Sequence, residues 1–97
     1  MSDRIPTHPG ALLREDVLPA LGMSVSAVAE ALGVSRQMLH RILSEKAPVT
    51  PEMAVRLGKF IGDGPDVWAR MQAAHDVAKA RIVLAKEVKK IPTARAA

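Results

Sequence analysis

The chain has 97 residues, 48% of them hydrophobic but only two aromatic, which suits one compact domain with an aliphatic core between packed helices. The absence of cysteine excludes disulfide bonds and thiolate metal sites, and the lack of a signal-peptide or membrane-spanning stretch predicts a cytoplasmic protein without a membrane partner. The net charge of +4 permits an anionic partner. Residues 1–62 contain seven basic and six acidic side chains and residues 63–97 contain seven and four, so DNA binding would need a locally basic element.

Proline, glycine and capping residues divide the chain into five predicted helices, with no strand-like alternation. The first helix opens at Pro9-Gly10 and is ended by Pro19 and Gly22. Ser24 is a natural N-cap for the second helix, which Gly33 closes. The remaining three helices follow the N-caps or helix-opening prolines Ser35, Thr50-Pro51 and Pro65, and are expected at about residues 35–44, 51–61 and 65–90. The expected organisation is therefore an N-terminal arm (1–8), a helical domain (9–91) and a flexible tail (92–97).

The second and third helices have the spacing of a helix-turn-helix motif between about Val25 and Ser44. The small side chain of Ala29 allows two steeply crossing helices to approach closely, and Gly33 tolerates the positive φ of a tight turn. Aliphatic residues at the other key positions are expected to bury the angle between the helices: Val28, Leu32, Val34, Leu39 and Ile42. The motif then presents the opposite side of the third helix to solvent.

The side chains on that outward side are of the types that read DNA, namely Arg36, Gln37, His40, Arg41 and Ser44. Arginine and glutamine can form bidentate hydrogen bonds to guanine and adenine edges in the major groove. Free backbone amides beside Ser35 suit a phosphate. A plain helical hairpin with a polar outer face is the alternative, but the outward set contains no acidic residue before Glu45, which favours DNA binding.

Four segments resemble, in order and spacing, the HigA-type antitoxins of the Xre, or lambda-repressor-like, family. They span about residues 5–80 and are His8–Glu15, Ser24–Leu43, Val49–Leu57 and Asp63–Trp68, the last followed by Met71-Gln72. The resemblance implies an all-α, five-helix lambda-repressor-like DNA-binding domain with a long C-terminal helix. It also implies a homodimer that represses its own operon at a palindromic operator on double-stranded DNA, and that neutralises a HigB-type toxin, a RelE-like mRNA endonuclease.

Within this resemblance, the residues that match the family's DNA contacts are Ser35, Arg36, Gln37, His40 and Arg41. Ser24 and Lys46, which flank the motif, complete the expected DNA-binding set. The sequence departs from the family where many members have glutamine (here Val25), a small polar residue (here His40) and Asn-Gly (here Ser44-Glu45). These departures bear on the operator sequence and on the phosphate contacts rather than on the fold.

The fifth predicted helix has two apolar stripes. One is expected to face the core and comprises Trp68, Met71, Ala74, Ala78, Ile82 and Ala85. The other is expected to be a dimer interface and comprises Val77, Leu84, Val88 and Ile91. The alternative for the second stripe is that it covers the first helix or remains modestly exposed.

The sequence predicts no catalysis, metal or cofactor. The three histidines lack ligand spacing with a second histidine or a carboxylate, and the serines lie at helix caps without a base at motif spacing. His8 is expected to order the entry to the first helix. Two alternatives to the antitoxin function remain open: an Xre-type regulator without a toxin partner, and a helical protein-interaction module.

Overall fold

The computed structural model describes residues 4–95, and within this range the protein is all-α with six helices. Residues 1–3 of the expected arm and 96–97 of the expected tail lie outside the described residues. Helix α1 is continuous over three segments, Pro9–Leu12, Leu13–Val17 and Leu18–Leu21. The others are α2 (Val25–Leu32), α3 (Arg36–Leu43), α4 (Pro51–Ile61), α5 (Pro65–Val83) and α6 (Ala85–Lys89). The all-α fold expected from the sequence is confirmed.

Helix α1 continues through Pro19, so the prediction that this residue helps to end it is wrong. The segment Leu13–Val17 is π-helical, and the N–H of Leu18 bonds to the carbonyl of Leu13, five residues earlier. This wider turn precedes Pro19, which has no N–H to donate and whose ring would clash with the preceding turn of a regular α-helix. The helix ends instead at Gly22, which takes a φ of 66°.

The N-terminus of α1 is held directly against α3. His8 is the N-cap, and its Nδ1 accepts the N–H of Gly10 at 2.8 Å, which confirms that His8 orders the entry to the helix. A Cβ atom on Gly10 would overlap the carbonyl oxygen of Ile42. Glycine is therefore needed here for a close approach of two backbones rather than for its φ.

One core lies among α1 to α4 and the first half of α5. Its buried apolar residues are Leu13, Leu18, Val28, Ala29, Leu32, Leu39, Ile42, Leu43, Ala47, Val49, Met53, Ala54, Leu57 and Trp68. Two polar contacts anchor α5 to this core: the indole Nε1–H of Trp68 donates to Asp63 at 2.9 Å, and the buried Gln72 accepts the N–H of Val49 at 2.8 Å. The first half of α5 is thereby joined to the loops on both sides of α4.

The second half of α5 leaves the body of the protein. Ala74 and every described residue from Lys79 to Arg95 are exposed, so the expectation that Ala74, Ile82 and Ala85 face the core is wrong. The core is too short to cover a helix of this length, and the described residues extend over 52 × 23 × 21 Å. The predicted single helix is also interrupted at Leu84, between α5 and α6. No helix among residues 4–95 is both long and apolar enough to cross a membrane.

Two histidines join the segment before α1 to α5. The rings of His8 and His75 meet edge to face with their centroids 4.9 Å apart. Nδ1 of His75 lies 2.8 Å from the carbonyl oxygen of Pro6, and because a carbonyl only accepts, this nitrogen carries the proton. Nδ1 of His8 accepts a hydrogen bond, so that nitrogen carries none. Protonation of His8 at Nδ1 would therefore break the cap of α1.

The pKa of His8 lies below its usual value, mainly because the side chain is buried and next because His75 is close. Lys79 lowers it slightly further, whereas the Glu45 and Asp76 carboxylates act in the opposite direction. As the pH falls, His8 is therefore protonated near pH 6.5 in the unfolded chain but only at a lower pH in the folded protein. The resulting stability is present above pH 6.5 and is lost as the pH falls through the lowered pKa. We expect the free energy of unfolding to fall over this window as His8 takes up a proton and its cap is lost.

The measurement is denaturant unfolding of the wild type and of His8→Asn between pH 5 and pH 8. Asparagine is a good N-cap that does not titrate, so the variant keeps the cap and loses this part of the pH dependence. The two proteins are otherwise identical in sequence. An identical pH dependence in the two proteins would contradict the assignment.

Candidate nucleic-acid interface

The turn between α2 and α3 has the geometry that the sequence predicts. Gly33 takes a φ of 74°, and the N–H of Val34 bonds back to the carbonyl of Ala29 at 3.0 Å. Ala29 is buried, as a close crossing requires, and Val34 is partly buried. The other four positions at the angle are buried, with exposed fractions of 4% or less: Val28, Leu32, Leu39 and Ile42. Burial of this apolar set fixes the rotation of α3 about its own axis.

The opposite face of α3 is open to solvent. Arg36, Gln37, His40 and Arg41 are all exposed, and their spacing places them on one side of the helix. Nη1 of Arg36 lies 3.4 Å from the hydroxyl of Ser26, so this guanidinium lies against the start of α2. The predicted outward orientation is confirmed, whereas the DNA contacts themselves remain predictions.

The two serines of the predicted set are helix caps. The hydroxyl of Ser24 accepts the N–H of Ala27 at 3.1 Å, and that of Ser35 accepts the N–H of Met38 at 3.0 Å. Each hydroxyl still has a proton to donate, so capping leaves either side chain able to bind a phosphate oxygen. Both serines are exposed.

A short turn rich in polar side chains follows α3. Glu45 takes a φ of 65°, and the N–H of Lys46 returns to the carbonyl of Arg41 at 2.9 Å. Lys46 is exposed. Among residues 4–95, no carboxylate lies within ion-pair distance of Arg36, Arg41 or Lys46, so these three cations are available to an anionic partner.

Three side chains that support the motif were not singled out by sequence reasoning. Arg14 of α1 donates to the carbonyl of Leu43, Arg56 of α4 donates to the carbonyl of Leu32, and Gln72 receives the N–H of Val49. Each contact joins residues more than twenty positions apart, and no local pattern marks it. Within the described residues, no group of three or more histidine or acidic side chains could hold a metal ion.

The arrangement is that of a DNA-binding helix-turn-helix protein, and comparisons with known proteins agree. The helix-turn-helix family HTH_3 matches residues 13–67. The chain is 39% identical over 70 residues to virulence-associated protein I of Dichelobacter nodosus, covering 72% of this chain and 65% of that protein. It is 30% identical over 74 residues to antitoxin HigA-1 of Vibrio cholerae, covering 76% and 70%.

Among solved structures, the antitoxin HigA of Pseudomonas aeruginosa with the higBA promoter superposes with a TM-score of 0.86 at 28% identity, covering 94% of this chain and 99% of that one. The chain therefore belongs to the helix-turn-helix family of Xre-like proteins, and its resemblance to the HigA-type antitoxins is confirmed.

Proposed function

We propose that this protein is the antitoxin and autorepressor of a toxin–antitoxin operon, acting in the cytoplasm as a binding protein rather than an enzyme. The observation that carries the DNA-binding part is the exposed side of α3, where Arg36, Gln37, His40 and Arg41 project together. The similarity to a HigA antitoxin solved with promoter DNA supports the same function. Double-stranded operator DNA is the proposed partner of this face.

In the proposed complex, α3 enters the major groove. Arg36 and Gln37 lie in its first turn and read base edges, while His40 and Arg41 follow one turn later. Ser24 at the start of α2, Ser35 at the start of α3 and Lys46 after α3 bind phosphates. The phosphate contacts set affinity and register, and the base contacts set the sequence.

Arg36→Ala and Gln37→Ala should each weaken binding to the protein's own promoter by about 1–3 kcal/mol, because each removes a base contact. Lys46→Ala should weaken binding to specific and non-specific duplexes alike, because it removes one phosphate contact. The slope of log K against log salt concentration should become shallower by about 0.9. The measurement is fluorescence anisotropy on promoter and scrambled duplexes at several salt concentrations, with exposed Arg70→Ala as the charge control. Unchanged promoter binding by both α3 variants would contradict this reading face.

We further propose that the exposed end of α5, with α6, pairs with a second copy of the chain. Its apolar residues Val77, Leu84, Val88 and Ile91 are between 45% and 67% exposed. The spacing of Val77, Leu84 and Val88 is that of one side of a helix, and Ile91 follows the end of α6; the body of the protein does not cover this segment. A symmetric pairing of these stripes would bury them and would separate the two α3 helices for a palindromic site, about 34 Å apart.

Leu84→Gln should weaken this dimer at least tenfold, because a symmetric interface loses the apolar burial of two leucines. Ile82→Gln is the matched control, since Ile82 is 53% exposed on another side of the same segment. Sedimentation equilibrium of the three proteins over a range of concentrations measures the effect. A wild type that is monomeric at micromolar concentration, or equal effects of both variants, would contradict the proposed interface.

The toxin part of the proposal is supported by the similarity to antitoxin HigA-1. The proposed partner is a HigB-type, RelE-like mRNA endonuclease encoded beside this chain. The product of the adjacent reading frame should arrest growth when expressed alone, be tolerated with this protein, and co-purify with it. A harmless neighbour that does not co-purify would favour a stand-alone Xre-type regulator instead.

A further inference from the structure

The C-terminal end of α3 is completely satisfied by hydrogen bonds, and one of them comes from another helix. The last four carbonyls of any helix lack partners within it. In α3, those of His40, Arg41 and Ile42 accept backbone N–H groups of the following turn. The last, the carbonyl of Leu43, accepts Nη1 of Arg14 at 2.6 Å. The end of the reading helix is therefore tied to α1, 29 positions earlier in the chain.

Helix α2 ends in the same way. Its last carbonyl, that of Leu32, accepts Nη1 of Arg56 from α4 at 2.8 Å. This guanidinium lies against the turn itself, since a Cβ atom on Gly33 would come within 2.9 Å of Nη1. Nη2 and Nε of Arg56 lie 3.5 Å from the Glu52 carboxylate. Each helix of the motif thus ends on an arginine supplied from outside the motif.

Both contacts combine two favourable electrostatic effects. A cation at a helix C-terminus interacts well with the helix dipole, and a hydrogen bond from a charged donor is stronger than one between neutral groups. Helices α2 and α3 have only eight residues each, too few to be stable without external contacts. Base reading requires side chains placed to within about 0.5 Å, so the ends of these short helices must be held.

We propose that Arg14 and Arg56 are positioning residues for operator reading, which fix the ends of α3 and α2 through the Leu43 and Leu32 carbonyls without contacting DNA bases. This inference rests on the proposed operator binding. The positioning role is assigned to the carbonyl contacts and not to the ion pairs that the same side chains form. Arg14 pairs with Glu15 and Glu45, but all three side chains are between 38% and 65% exposed, and such pairs contribute little.

The test replaces each arginine with methionine, which keeps an unbranched stem as far as the position of Nε and removes the guanidinium donors. Arg70→Met removes the same charge from an exposed position on α5 and is the matched control. Relative to this control, Arg14→Met and Arg56→Met should each lower promoter affinity at least tenfold. Affinity for a scrambled duplex and the salt slope of promoter binding should be unchanged, because no phosphate contact is lost.

Two further variants separate positioning from general support of the fold. Arg14→Lys can still donate to Leu43 and should recover most of the promoter affinity. Glu45→Gln removes an ion pair and leaves the carbonyl contact, so it should stay within about twofold of the wild type. All affinities are measured at a temperature where circular dichroism shows each variant to be folded.

Amide hydrogen exchange tests the same contact on the free protein. In Arg14→Met, the amides of Ser44 to Ala47 should exchange faster than in Arg70→Met, since their carbonyl partners lie in the released turn. If the wild type does not bind its promoter, the proposed function is wrong. The exchange result still shows whether Arg14 holds the end of α3. Promoter affinities equal to the control, a salt slope lowered by about one, or unchanged exchange would each overturn the proposal.

Discussion

The structure depends on the close crossing of α2 and α3 around Ala29 and Gly33. The positive φ of Gly33 turns the chain sharply enough for Val34 to bond back to Ala29, and the aliphatic side chains on the inner faces fill the angle. Once these are buried, α3 has only one rotation available about its axis. The polar side that contains Arg36 and Arg41 is outward because the other side is buried, so the orientation of this exposed face follows from packing.

Helix α3 is too short to hold that position alone, and the rest of the domain supports it at several points. Gly10 lets the start of α1 lie against the Ile42 carbonyl, and Arg14, one turn later in α1, donates to the Leu43 carbonyl. On the other side, Arg56 holds the end of α2. The segment before α1 is in turn joined to α5 through His8 and His75. Helix α3 is therefore held by α1, and its partner α2 by α4, through contacts between residues far apart in the chain.

The predictions from sequence succeeded where the signal is local. Ser24, Ser35 and Thr50 cap helices as expected, because an N-cap needs only a side-chain oxygen two or three residues before a free N–H. The prediction for Pro19 failed because proline usually ends a helix, and the π-helical turn before it is visible only in the backbone. The core stripe of α5 was extended too far, to Ile82 and Ala85, since periodicity alone does not reveal where the body of the protein stops.

By itself, the sequence determined the helical composition, the turn at Gly33, the inward and outward faces of α2 and α3, and the family resemblance. These depend on residue types at fixed short spacings, which a linear pattern records. Only the tertiary structure decided which side chains secure the ends of those helices and how much of α5 the core covers. Arg14 meets Leu43 because α1 packs across α3, and a contact of that kind depends on where whole helices lie rather than on any spacing along the chain.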